Sequence, residues 1–95
     1  MKEIIWQTPA MNKLNEIMDY IANDSPKAAH KYGLEIYTRV NELLKFPDVG
    51  TIYSVSGQRI TRKLIIGKTK SIFYRTTKNT IFIIAIQDNR QNWKK

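Results

Sequence analysis

The C-terminal half of the chain holds the side chains best suited to phosphate chemistry. Arg59, Arg62, Lys63, Arg75 and Arg90 supply positive charge, and Tyr53, Tyr74 and Trp93 supply rings on which bases can stack. Lysines and arginines can stabilise a pentacovalent phosphate while another group transfers protons, so a ribonuclease can work with few conventional residues. Other chemistries fail on inventory. His30 is the single histidine and cysteine is absent, which excludes disulfides and Cys-ligated zinc and leaves only carboxylate-rich metal sites. His30 falls near the start of a helical pattern and reads as a surface residue. Ser54, Ser56 and Ser71 lie in turn-like or strand-entry contexts with no base assigned to them. Asp88 is the only acid after Asp48, so paired catalytic carboxylates are not expected there. Gly50, Gly57 and Gly67 are isolated turn glycines and do not make a phosphate-cradling loop. No metal and no cofactor is expected. Phe73, Tyr74 and Phe82 also have a plain reading as core.

These cations belong to a marked asymmetry. The chain has 16 Lys and Arg against 8 Asp and Glu, a net charge of +8. Residues 1–48 hold six basic and seven acidic side chains; residues 49–95 hold ten basic ones and Asp88 alone, a net +9. Such a half is an electrostatic footprint for an anion, either a nucleic acid or an acidic protein segment. The alternative is a solubilising surface, at the cost of self-repulsion.

The elements that must position these residues follow from periodicity. Ninety-five residues, 42% of them hydrophobic and 25% charged, make one domain over 1–95. Ile4, Ile5 and Trp6 mark a first strand within 1–7. Thr8 can cap a helix that begins at Pro9, and Leu14, Ile17, Met18 and Ile21 form its apolar stripe. Ser25-Pro26 starts a second helix with Ala29, Tyr32, Ile36, Val40 and Leu43 on one face. Phe46-Pro47-Asp48-Val49-Gly50 ends it, giving a helical hairpin over 8–46. From Gly57 the pattern turns extended: Arg59–Ile66, Ser71–Thr76 and Thr80–Gln87 read as a three-stranded meander over 57–87. A polar basic tail covers 88–95. The order β-α-α-β-β-β implies an α+β fold, the helical hairpin packed on one face of a small antiparallel sheet. The other face must meet solvent or a ligand. The longest apolar run, Ile81 to Ile86, is far short of the ~20 residues of a membrane helix. With no signal-peptide layout after Met1, a cytoplasmic protein without membrane contact is expected.

An ordered set of short segments resembles the RelE/ParE toxin superfamily. It comprises Trp6, Tyr20-Ile21-Ala22, Ser25-Pro26 with Ala28-Ala29, Leu43-Leu44 and Phe46-Pro47-Asp48-Val49-Gly50. It continues with Arg62-Lys63-Leu64, Ile72-Phe73-Tyr74-Arg75 and Ile86-Gln87-Asp88-Asn89-Arg90-Gln91-Asn92. The likeness runs from about Ile4 to Asn92. It implies the same small α+β fold and the toxin half of a bacterial type II toxin–antitoxin pair. The partner it implies is an antitoxin whose segment folds on the toxin as a helix or added strand; an acidic segment would suit the charge. Two branches are open. In the ParE-like branch the protein inhibits DNA gyrase without being an enzyme, and Arg59, Arg90, Trp93, Lys94 and Lys95 contact the target. In the RelE-like branch it cleaves mRNA on the ribosome, and the resemblance carries Arg62, Lys63 and Arg75 over as phosphate-stabilising residues. That branch commonly has a Tyr or His near the end of the last strand. This chain has neither there, arginine stays protonated, and Asp88 among cations would be a weak base. The ParE-like branch is therefore expected, with a basic binding module lacking toxicity as the third reading.

Overall fold

In the computed structural model, which describes residues 2–89, strand β1 (Glu3–Trp6) leads into helices α1 (Thr8–Asp24) and α2 (Pro26–Asn41). A short 3₁₀ turn (Glu42–Leu44) follows, then strands β2 (Thr51–Ser56), β3 (Arg59–Ile66), β4 (Lys70–Thr76) and β5 (Thr80–Asp88). The strands form one sheet in the order β1-β5-β4-β3-β2. The expected α+β architecture holds, with two differences. A strand, β2, precedes the meander, so the order is β-α-α-β-β-β-β; and β1 joins β5 in parallel, in an otherwise antiparallel sheet.

Both helices form where their apolar spacing places them. Leu14, Ile17 and Ile36 are fully buried, with Ala10, Tyr32, Val40 and Leu43 beside them, against Leu64, Ile66, Ile72, Tyr74, Ile81, Ile83 and Ile86 from the sheet. Each large aliphatic side chain removed from water in this way contributes about 1.5–3 kcal/mol. The first helix starts one residue earlier than its capping pattern suggests. Gln7 occupies the cap position without a side-chain bond, and Thr8 lies in the first turn. The second start is as read: the Ser25 hydroxyl accepts from the Ala28 N–H at 3.1 Å, with Pro26 in the first turn. No helix among the described residues is long and apolar enough to cross a membrane.

Two bulges set which face of the sheet the side chains after them take. On β5, Ile84 is an extra residue between the Tyr74–Ile83 and Phe73–Ala85 pairs. The alternation therefore shifts, and Ile81, Ile83, Ile86 and Asp88 all face the helices. On β2, Tyr53 is extra between the Ile52–Arg62 and Ser54–Thr61 pairs. A two-residue loop, Gly57-Gln58, joins β2 to β3; Gly57 has φ +62°, the sign this tight hairpin needs.

The segment from helix to hairpin is held by one buried phenol. The Tyr74 hydroxyl donates to the Pro47 carbonyl at 2.8 Å and accepts from the Gly50 N–H at 2.9 Å. Burial pushes the phenol above its usual 10.0, although the Gly50 N–H and the Arg62 charge pull the other way. Gly50 packs so close to the ring that an added Cβ would lie 2.8 Å from it and 2.9 Å from the Lys63 carbonyl.

Tyr74→Phe leaves the buried Gly50 N–H and the Pro47 carbonyl without this partner, and is expected to cost about 1–3 kcal/mol in urea unfolding. A raised folded value means that the phenol's contribution is complete below about pH 10 and is lost as pH climbs toward that value. Tyr74→Phe should therefore show a smaller alkaline loss of stability than the parent. Two glycine substitutions should separate in the same assay. Gly50→Ala must displace a ring and a backbone carbonyl and should lower stability by more than about 1 kcal/mol. Gly33→Ala meets only the flexible end of Met18 and gains helix propensity, so a change within about 1 kcal/mol is expected.

Candidate functional site: the open face of the sheet

Strand register sorts the basic residues onto two faces. Pairing of Lys63 with Phe73 and of Arg62 with Tyr74 puts these neighbours on opposite sides. The helix side takes Arg62 and Lys70, and both are engaged there. Arg62 Nη1 donates to the Gly50 carbonyl at 2.8 Å, and its Nε lies 3.7 Å from the Asp48 carboxylate. Lys70 is buried, bridges to Glu35 at 3.0 Å and lies over the Tyr32 ring at 5.2 Å. The Tyr32 hydroxyl in turn donates to Asp88 Oδ2 at 3.0 Å, and Asp88 is only 7% exposed. The lone acid of the C-terminal half thus acts as a buried acceptor that ties the end of β5 to α2.

Described residues of the open face line at least two clefts. In one, Tyr53 meets the Phe73 ring edge-on at 4.7 Å between centroids, and Lys63 Nζ stands 5.9 Å from the same ring. Thr61, Ile84 and Gln87 line the same hollow of about 340 Å³. The bulge on β2 is what aims Tyr53 at Phe73. In the other, Arg59 from the hairpin and Arg75 from β4 line a cleft of about 380 Å³ with Gln7, Gln58, Thr77 and Phe82. Pairing of Arg75 with Phe82 sets the ring beside the guanidinium. Arg75 Nε is buried and donates to no acceptor among the described residues.

The sequence-derived candidates therefore divide. Arg59, Lys63, Arg75 and Tyr53 belong to the open face, whereas Arg62 and Tyr74 face the helices and hold the Pro47–Gly50 segment. Arg62, Lys63 and Arg75 do not converge on one point. Tyr74 is core, as its plain reading has it, but Phe73 and Phe82 are half-buried on the open face. His30 is exposed on α2. Arg90, Trp93, Lys94 and Lys95 lie outside the described residues. Sequence reasoning missed Gln7 and Gln58. The signal for Gln58 was present: Gly57-Gln58 between two runs of Thr, Val, Ile and Tyr is a hairpin loop, which sets Gln58 beside Arg59.

Similarity to known proteins agrees with this fold. The sequence profile described as "ParE toxin of type II toxin-antitoxin system, parDE" matches residues 4–93. Toxin RelE2 of Caulobacter vibrioides is 26% identical over 87 residues, covering 92% of this chain and 94% of the relative. The Sinorhizobium fredii protein named "Putative toxin Y4kP" is 28% identical over 92 residues, covering 97% of this chain and 93% of the relative. A chain of the chromosomal ParDE TA system from P. aeruginosa superposes with a TM-score of 0.75 at 25% identity, over 93% of this chain and 96% of that one. With the profile spanning nearly the whole sequence, the chain belongs to the ParE toxin family of type II toxin–antitoxin systems.

Proposed function

We propose that the protein is a ParE-like toxin that inhibits DNA gyrase without being an enzyme, and that a cognate antitoxin neutralises it. One observation carries the choice of branch. Residues that would have to act together in phosphodiester cleavage are split by the sheet: Arg62 is bound to the Gly50 carbonyl on the helix side, while Lys63 and Arg75 face the other way. Asp88, the acid nearest the end of the last strand, is buried on the helix side beneath Tyr32. A nuclease needs its charge and its proton-transfer group around one phosphate. Binding to a protein target makes no such demand. Arg59 on the hairpin and the basic tail Arg90, Trp93, Lys94 and Lys95 are the residues assigned to the gyrase contact.

The antitoxin reading rests on the ParDE likeness and on an uncovered apolar surface. On the β2–β3 hairpin Ile52, Val55 and Ile60 are exposed, as are Leu44, Phe46 and Val49 in the preceding segment. Exposed apolar side chains in and beside an edge strand suit a segment that folds on binding. An acidic segment would also relieve part of the +9. The ribosome-dependent mRNA endoribonuclease is the second reading. It draws on the relative named RelE2 and on Tyr53 beside Lys63 over the open face.

Gyrase supercoiling of relaxed plasmid, with the purified chain added, tests the proposal. Inhibition near one toxin per gyrase is expected, and a chain ending at Asn89 should fold, bind its antitoxin and inhibit at least tenfold less. Normal supercoiling by a folded preparation that still arrests growth would reject gyrase as the target. Cleavage of mRNA on ribosomes by that preparation would then favour the second reading.

A further inference from the structure

We propose that the hollow framed by Tyr53, Phe73 and Ile84 seats one aromatic side chain of an acidic protein segment, and that the antitoxin supplies it. The inference rests on the antitoxin reading above for the source of that ring, and it is independent of the choice between gyrase and the ribosome.

The first support is that the sheet gives up regular pairing at this hollow from two sides. Tyr53 is the extra residue on β2 and Ile84 the extra residue on β5, and both line the same space of about 340 Å³. A bulge leaves one residue out of the ladder, and bulges gather where a side chain is re-aimed beside a binding site. Here two of them, on strands separated by β3 and β4, frame one hollow. The second support is the lining. The Tyr53 ring is 61% exposed and stands edge-on to Phe73, so the pair can accept a third ring. Ile84 and Ala85 add apolar surface, and Ser54, Thr61 and Gln87 are neutral. A buried aromatic anchor in such a seat is the usual centre of a protein interface. A nucleotide would also bring a phosphate, and no arginine is among the described residues of this lining. The third support is charge. No acidic side chain is among them either, and Lys63, 5.9 Å from the centre of the Phe73 ring, joins no ion pair among the described residues. A seated ring and a carboxylate beside it would both gain from that ammonium. The fourth is position. Tyr53 and Ser54 belong to β2, the edge strand whose exposed Ile52 and Val55 are assigned to the antitoxin above. A segment lying along that edge therefore meets the wall of the hollow.

The ring signals of Tyr53 and Phe73 are followed by carbon-13 NMR in the full chain. The probes are a short acetylated peptide with tryptophan between acidic residues, its leucine counterpart, its lysine-flanked counterpart, and adenosine 5′-monophosphate. At millimolar concentration the acidic tryptophan peptide should shift both rings, and more strongly than the other three. Tyr53→Ala should weaken its binding about fivefold or more, and Lys63→Gln about threefold. Neither side chain is in the core, and Lys63→Gln remains informative if Tyr53→Ala does not fold. The chain purified in complex with its antitoxin should no longer respond to the peptide. Rings unmoved by the acidic tryptophan peptide overturn the proposal, as does equal binding of the leucine peptide or by a folded variant. A stronger response to the monophosphate overturns it too, and gives the hollow to a nucleobase. A complex that still takes the peptide removes the antitoxin as the source of the ring. The titration of the free chain contains neither antitoxin nor gyrase, so its failure leaves the toxin–antitoxin reading standing. Failure of that reading shows instead as growth arrest that no antitoxin relieves.

Discussion

Everything peripheral in this fold hangs on the contact between the Tyr74 hydroxyl and the Pro47–Gly50 segment. That segment carries the chain from the helical layer to the edge of the sheet. It has no regular hydrogen-bonding ladder, so its polar groups must find partners elsewhere. Tyr74 satisfies a carbonyl and an N–H at once, and Arg62 takes the Gly50 carbonyl from the neighbouring strand. With Gly50 fixed against the ring, β2 begins at Thr51 opposite Lys63. The register of the hairpin follows, and with it the position of Arg59 over Arg75 and of Tyr53 over Phe73.

The same sheet separates two kinds of cation. Those on the helix side serve the structure: Lys70 with Glu35, and Arg62 with the loop. Those on the open face have rings and neutral amides for neighbours, and no ion pair to a carboxylate among the described residues. This accounts for the lopsided charge of the sequence in physical terms. A positive half costs little in structure when its inward members are paired, and its outward members are free to meet an anionic partner. The exposed apolar side chains of the hairpin give that half a second surface, of different chemistry, the one proposed above for the antitoxin. A small domain of this size, with a limited core, gains stability from such a partner by mass action.

Much of the architecture was legible because it is local. The apolar stripes of both helices, the Ser25-Pro26 start and the strands from Arg59 onward each declare themselves within a dozen residues. The family resemblance, read from about Ile4 to Asn92, pointed to the same fold and to the toxin class. Strand β2 was not legible for a physical reason. All six of its residues are exposed, so no burial pattern marks it, and the extra Tyr53 breaks the alternation between Ile52 and Val55. Parallel pairing of β1 with β5 joins segments more than seventy residues apart, and nothing local encodes it. Arg62 shows both the reach and the limit of parity. Alternation with Leu64 and Ile66 points it toward the core, but only the structure supplies the Gly50 carbonyl and Asp48 that make the placement tolerable. The Arg59–Arg75 cleft was legible as two basic residues and not as one site, because their meeting depends on the hairpin register.

The central claim is that adjacent residues Arg62 and Lys63 serve different ends, one the fold and the other the open face. Thermal unfolding of Arg62→Gln and Lys63→Gln, each measured beside growth arrest on induction, tests it most directly. The account predicts a melting temperature several degrees lower for Arg62→Gln. It predicts an unchanged one for Lys63→Gln, with any loss of growth arrest there occurring in a fully folded protein. An Arg62→Gln variant that melts like the parent yet no longer arrests growth would contradict it, since Arg62 would then be acting on the target rather than holding the loop.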